Sequence, residues 1–480
     1  MTIDFLGDIC LAYYERPLSE LSCLAERMNL LLGNTDFRIA NLENPILGNE
    51  TYYKADKRGP SLHMTHEGVL FLERLNINCY ALANNHMGDY GIEGIKSTIR
   101  YIKGIGKDFV GISRNGDRYL KPVRYEKNGI KISVFSICEN EFGTAVSAGY
   151  GADGYDIELV KRSLRIEKES GCVVIVFFHG GTENYPFPSP MQRERFRFLI
   201  DTGADAVINS HQHCCLGIES YKGKYIFYGI GNFFFPRSIC SIYDGGWNYG
   251  YTVRLDVNNY NDITYELIPH EFDSNGKFEI TDIKIFRQYI DMLSAPIASD
   301  DMLISQYHIW ANIMGSIRYD QLIKEIEEKQ PQRDLLIKSL FCCESHNELM
   351  NIYMNMKVVG DYKTTYSSKM VEAFVNCDML NNYSALHVRN VIWGVTDKGI
   401  MQSICLKRKL VNPESEIIFV DKDVRKQNFR IGGCLILSPE FVLERYKECD
   451  YYICLPDKYV EDAREVILSH GIEEYKVHER

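Results

Sequence analysis

Short apolar runs alternating with stretches of helical spacing constrain this chain more than any other feature. Ile3 to Leu6, Phe37 to Ala40, Cys79 to Ala83, Ile130 to Ile137, Val173 to Phe178, Ala206 to Ile208 and Tyr225 to Tyr228 read as buried strands. Between them, Ser19 to Leu32, His66 to Leu75, Gly91 to Ile102, Ile157 to Ser170 and Pro190 to Thr202 carry apolar residues at helical spacing. This alternation predicts a layered α/β domain, and the apolar/polar alternation from Tyr249 to Phe272 predicts an antiparallel hairpin closing it.

The pattern changes twice further on. From about Ile283 to Asn382 it turns helical, with runs at Tyr319 to Glu328 and Leu335 to Met356. The last hundred or so residues return to alternation through Asn390 to Trp393, Ile417 to Asp421, a helix near Pro439 to Tyr446, and Tyr451 to Leu455, which predicts a compact doubly wound unit. We therefore divide the chain into residues 1–275, a helical connector at 276–383, and a small Rossmann-like α/β domain at 384–480. At 480 residues the chain is long enough for several cores.

Charge and cysteine usage exclude some functions. A net charge of −11 offers no basic field for nucleic acid. No apolar stretch approaches the roughly 18–20 residues needed to cross a bilayer, and no signal-like start is present, so we expect a cytoplasmic protein without a membrane anchor. The 15 cysteines are scattered and lack a C-x-x-C pair, which favours reduced, mostly buried thiols.

The chemistry collects at the strand ends. In chain order these deliver Asp8, Glu43, Asn85 with His86, His179, and His211 with His213. Carboxylates, an amide oxygen and several imidazoles make a mixed ligand set suited to Zn, Mn or Fe, and they exceed what one ion needs. Such a set, divided between two divalent metal ions with a bridging carboxylate, describes a hydrolytic two-metal centre.

Gly7-Asp8, Asn41-Leu42-Glu43, Ala83-Asn84-Asn85-His86 with Asp89, His179-Gly180-Gly181 with Glu183, Asp201 to Val207, His211-Gln212-His213, and Phe227-Tyr228 with Gly231-Asn232-Phe233 together resemble the CapA family. That family is similar to calcineurin-like metallophosphoesterases and is linked with poly-γ-glutamate capsule synthesis. Over about residues 1–270 the resemblance implies a four-layer α/β/β/α metallophosphoesterase-like sandwich. It implies Asp8 and His213 on one metal, Asn85, His179 and His211 on the other, and Glu43 between them. It further implies His86 as the acid for a leaving oxygen and Asp89 as the group that orients it.

The implied function is metal-dependent hydrolysis of a phosphate ester on a small molecule or polymer, in cell-surface polymer metabolism. The alternatives are a non-hydrolytic assembly component working with capsule-biosynthesis partners, and a metal-dependent γ-glutamyl amide hydrolase. Asn84, Glu183 and Tyr185 are the candidate substrate contacts.

The first motif departs from the Asp-x-His of many dinuclear phosphoesterases and reads Asp8-Ile9-Cys10, so Cys10 is either a thiolate ligand or a small buried residue. Glu139 and Glu141 either face the cleft or are solvated. Lys54, Lys57 and Arg58 either bind an anion or lie in a solvated loop. Gly394 to Gly399 follows a strand as a dinucleotide fingerprint does, without its middle glycine, and Asp421 ends the next strand. No cofactor-binding residue is assigned there.

Overall fold

In Val173–His179 successive residues point to opposite sides of a sheet, and every one is buried, so both faces must be covered. On one face Val174, Val176 and Phe178 pack with Phe135 and Ile137 against Val160, Leu164, Phe196, Leu199 and Ile200 from two helices. On the other, Phe177 meets Phe5 edge-on at 5.6 Å between ring centroids, which joins this sheet to a second one.

These observations come from a computed structural model. It describes residues 1–304 except 15–19, 56, 58, 237–246 and 274–276. It further describes residues 307, 308, 311, 344, 345 and 348, and residues 388–479 except 395–401, 404–405, 407–409, 411–415, 423–429, 432–433 and 456–458. The predicted helical runs at 319–328 and 335–356 therefore lie outside the described residues, apart from Glu344, Ser345 and Glu348.

The chain falls into two compact units, of which the first holds Met1–Ser238, Trp247–Ala298 and Pro331–Asn347. Its eight-stranded sheet runs in the order Phe278–Ile280, Asp262–Phe272, Tyr249–Asn259, Thr2–Ile9, Phe37–Leu42, Cys79–Ala81, Asp108–Val110, with Asn232–Phe234 also joined to Thr2–Ile9. The strands from Thr2–Ile9 to Asp108–Val110 are parallel, and the hairpin Tyr249–Phe272 adds to them antiparallel, as expected.

The six-stranded sheet runs Ile218–Tyr221, Lys224–Phe227, Ala206–Ser210, Val173–His179, Ile130–Cys138, Val123–Lys127, with its inner strands parallel. Parallel strands place all their C-terminal ends at one edge, which is where loops can vary without disturbing the sheet.

The helices begin and end for local reasons. Asp156 caps Ile157–Glu169 by accepting from Leu159 N–H at 2.8 Å. Ser189 caps Pro190–Thr202 through Gln192 N–H at 3.1 Å, with proline at the first position, where no amide hydrogen is needed. Leu21–Leu32 buries Leu21, Ala25, Met28 and Leu32, one stripe of its surface.

The first unit runs past the expected boundary at 275. Helix Ile283–Ser294 packs on it through Phe286 against Tyr251, and the Ser294 hydroxyl accepts from Ile218 N–H at 2.8 Å. Its apolar stripe completes this core, which is why it is not part of a separate connector.

Within the second unit, a six-stranded sheet runs Arg430–Ile431, Cys434–Leu437, Ile417–Val420, Asn390–Trp393, Asp450–Ile453, Val477–Glu479. All pairings are parallel except the first. The chain starts in the middle and winds outward both ways, burying Val391, Trp393, Ile418 and Tyr451 under Val442, Leu443 and Ile467. Of the Gly394–Gly399 turn only Gly394 is described, in the left-handed region at φ 113°.

Candidate metal centre

Asp8 lies in register with Asn41, whose side-chain amide donates to Asp8 Oδ1 at 2.8 Å. The register slips between Leu6 and Asp8, where Gly7 is required, because a Cβ there would stand 1.9 Å from the Gly231 carbonyl oxygen. Glu43 follows the neighbouring strand and is tied back by its N–H to the Ile9 carbonyl at 3.0 Å. His179 ends Val173–His179, and His211 follows Ala206–Ser210 one strand over.

The turn at His211 and His213 is strained. Both have positive φ, 98° and 56°, in a region that non-glycine residues seldom occupy, and both side chains are buried. The His211 N–H donates to Asp8 Oδ2 at 3.1 Å, and His213 Nδ1 lies 2.9 Å from Asn232 Oδ1.

Two clusters of ligand atoms result, and Glu43 belongs to both. One is Glu43, His179 and His211; the other is Asp8, Glu43 and His213. Asn85 joins the first, with Oδ1 3.0 Å from His179 Nε2, while His211 Nδ1 is 3.1 Å from the same nitrogen. In the second, His213 lies 3.5 Å from Asp8 Oδ2 through Nδ1 and 3.5 Å from Glu43 Oε1 through Nε2.

Glu43 is fully buried, and neither of its oxygens has a hydrogen-bond donor from the protein. A buried carboxylate without donors is costly unless a cation supplies the missing charge. Burial, with the charge of Asp8 next, holds its carboxyl well above the ordinary range. Burial would raise Asp8 as well, but the His213 hydrogen bond and the charges of His179 and His213 bring it below its usual value. Burial drives His179 well down, with Asp8 opposing, so its ring is neutral, the form that binds a metal. The donor set thus fits two divalent cations sharing Glu43.

His86 sits beside the first cluster in sequence and pairs through Nδ1 with Asp89 Oδ2 at 2.8 Å. Burial lowers its pKa while Asp89 opposes the shift. Asn84 forms hydrogen bonds only to the protein: its amide donates to Asn41 Oδ1 and the Leu42 carbonyl, and its oxygen accepts from the N–H groups of His86 and Met87. It shapes the His86 turn and is buried.

Tyr185 likewise has no exposed surface and packs edge-on to Phe187, so it supports its loop from beneath. Its aromatic ring lies in the interior. Glu183 is exposed, and its charge acts on Glu43, His86 and the Glu141 carboxyl.

Glu139 is buried and structural: Oε2 accepts from Gly181 N–H at 2.9 Å and Oε1 from the Ser345 hydroxyl at 2.9 Å. Glu141 is raised well above its ordinary value by burial, then by Glu139 and Glu183. Cys10 is buried and belongs to neither ligand cluster. Arg58 lies outside the described residues, Lys54 is exposed, and Lys57 is folded into the site.

Residue-by-residue reasoning had no role for Asn41, Asn232 and Ser210, which orient ligands: Asn41 holds Asp8, Asn232 holds His213, and the Ser210 hydroxyl lies 3.1 Å from His179 Nδ1. Their signal was present as polar residues flanking the ligand motifs. The aromatic wall was missed too: Trp247 and Phe235 cover the His213 ring at 4.3 and 5.4 Å.

The family described as bacterial capsule synthesis protein PGA_cap matches residues 2–237. The "PGA biosynthesis protein CapA" of Bacillus subtilis (strain 168) is 28% identical over 309 residues, covering 63% of this chain and 75% of that protein. The "Capsule biosynthesis protein CapA" of Bacillus anthracis is 27% identical over 260 residues, 52% of this chain and 61% of that protein. A "Probable polyglutamine synthesis accessory protein" of Mycobacterium tuberculosis (strain ATCC 25618 / H37Rv) is 27% identical over 214 residues, covering 41% of this chain and 55% of that protein.

Proposed function

Since the chain belongs, through residues 2–237, to the PGA_cap family of bacterial capsule synthesis proteins, we propose that it is a metal-dependent phosphoesterase acting in capsule or poly-γ-glutamate metabolism. We read its first unit as the four-layer sandwich of metallophosphoesterases and the C-terminal sheet as a Rossmann-like module. The observation that carries the activity is Glu43, buried, without donors, and common to both ligand clusters.

Asp8 and His213 would hold one cation, Asn85, His179 and His211 the other, and Glu43 both. Two such cations supply positive charge and Lewis acidity for a phosphoryl group. The chain's own residues do the rest. His86, held by Asp89 through Nδ1, would act in its protonated form, giving the proton on its other ring nitrogen to a leaving oxygen and returning to the neutral ring. Asn41 and Asn232 keep Asp8 and His213 aimed, so the ligand geometry is set before substrate arrives. Glu183 stands exposed at the edge of this group, where it favours substrates with a donor beside the phosphate.

A second reading, a non-hydrolytic assembly component, is favoured by the names of the relatives, which speak of biosynthesis and accessory roles. A γ-glutamyl amide hydrolase is the third. Protein reconstituted with Mn, Zn or Fe and assayed on a phosphomonoester, a phosphodiester and a γ-glutamyl peptide separates them. Hydrolysis of a phosphate ester that is lost in His179→Ala supports the phosphoesterase. Inactivity on all three with both cations bound sinks it and leaves the assembly role.

A further inference from the structure

The polar segment that carries Lys57 reads in sequence either as an anion-binding or as a solvated loop, and its residues Ala55 and Leu62 are both anchored on Asp89. Ala55 N–H donates to the Asp89 carbonyl at 2.8 Å, and Leu62 N–H donates to Asp89 Oδ2 at 2.6 Å. Between these two anchors Lys57 turns inward, with its side chain only 8% exposed. Its ammonium pairs with Asp89 Oδ1 and stands 3.4 Å from His86 Nδ1.

Oδ2 of Asp89 is hydrogen-bonded, and Oδ1, which has no hydrogen-bond partner, is held by the charge of Lys57. Oδ1 faces Lys57, and Oδ2 takes His86 Nδ1 at 2.8 Å together with the Leu62 amide. A carboxylate held on one side only can rotate about its Cβ–Cγ bond and carry the imidazole with it. Fixed on both sides, it holds the ring in one plane. Lys57 brings a positive charge to a region that contains Glu43, Glu139, Glu141, Glu183 and Asp89, and that charge acts on both His86 and Glu141. The cost of burying an ammonium is offset only by such a partner, so the pair is built rather than incidental.

We propose that Lys57 is a positioning residue that locks Asp89 and, through it, the His86 ring into the geometry for proton transfer. This rests on the phosphoesterase reading for its catalytic consequence, but the mechanical claim stands apart from it. Lys57 contacts neither ligand cluster, so its replacement leaves the cations bound.

The test compares Lys57→Met and Lys57→Arg with wild type, all reconstituted with Mn. Three quantities are read: bound metal, kcat and KM for a phosphomonoester, and hydrogen exchange of the Leu62 amide. For Lys57→Met we expect unchanged metal content and KM within about twofold. We also expect kcat lower by about 10- to 100-fold, the range for a displaced general acid. Leu62 exchange should rise at least about tenfold, because its acceptor is no longer pinned. Lys57→Arg, which keeps the charge and reach, should restore exchange and most of kcat.

A rise in KM alone overturns the proposal and makes Lys57 a substrate-anion contact. Loss of metal overturns it too, as does a Leu62 amide indifferent to both substitutions. Should wild type hydrolyse no phosphate ester, the phosphoesterase reading fails by itself, and Leu62 exchange still decides whether Lys57 locks Asp89. A Lys57→Met variant that does not fold transfers the decision to Lys57→Arg, for which normal exchange with lowered kcat counts against positioning.

Discussion

Asp4 and Asp8 lie on one strand, four residues apart, both with no exposed surface, and they meet opposite fates. Asp4 is enclosed by two arginines. Arg38 donates through Nε at 3.2 Å and Nη2 at 3.0 Å, and Arg254 donates through Nε at 2.7 Å and Nη2 at 2.9 Å. The same arginines cap the end of helix Leu21–Leu32, with Arg38 donating to the Gly33 carbonyl and Arg254 to the Leu32 carbonyl. At the other end of the strand, Asp8 is held by an amide, a backbone N–H and imidazoles, and Glu43 beside it has no donor at all. One end is a charge network that the protein completes by itself. The other leaves a buried carboxylate, Glu43, without a hydrogen-bond donor.

The sharpest break in this comparison is Glu43→Ala, which removes the group shared by both clusters. Bound metal measured by mass spectrometry should fall by more than one ion, and phosphatase activity by about 10³-fold or more. Retention of both cations would mean that Glu43 is not the bridge. Arg38→Met tests the opposite end. It leaves Asp4 short of one partner in the interior and should cost about 3–5 kcal/mol in denaturant unfolding, while metal content per folded molecule stays at the wild-type value. Loss of metal in that variant would show the two ends to be one system.

Asp153 is a third case, neither paired with a cation nor part of the clusters. Its Oδ1 has no hydrogen-bond partner, and burial, against a hydrogen bond from Ser113, raises its pKa from 3.8 to about 7. Folded protein keeps this proton between those values while unfolded chain releases it, so stability falls as pH rises through that window. Asp153→Asn should therefore match wild type near pH 4 and exceed it by about 2–4 kcal/mol at pH 8, read from urea midpoints. An equal difference at both pH values would refute the assignment. The smallest effect belongs to the exposed pair Lys96 and Glu93 at 2.7 Å, where Lys96→Ala should change stability by less than about 0.5 kcal/mol.

How much of this was legible in the sequence follows from the range of the signal. Val173–His179 and Pro190–Thr202 were readable because periodicity and a Ser-Pro start are local properties. The strand-end residues Asp8, Glu43, His179 and His211 were readable because a motif and a strand end coincide. Short strands such as Asp108–Val110 and Asn232–Phe234 were not, since three residues carry no period and exist only because a neighbouring strand offers its edge. Lys57 and Asp89 are far apart in sequence, and nothing local says that a polar loop folds over a carboxylate. Asn84 and Tyr185 show the reverse case. Their residue types suit substrate contact, but packing turns one into a turn-shaper and the other into an interior ring.

The backbone at His211 carries a further implication for how this region changes over time. At φ 98° the conformation suits glycine best, and at His213, φ 56°, asparagine or glycine. The replacements that relax the chain are those that remove an imidazole. Drift toward a sturdier molecule and retention of the two imidazoles therefore pull against each other at these two positions. A homologue carrying Gly or Asn there would be expected to melt later and to have abandoned the chemistry.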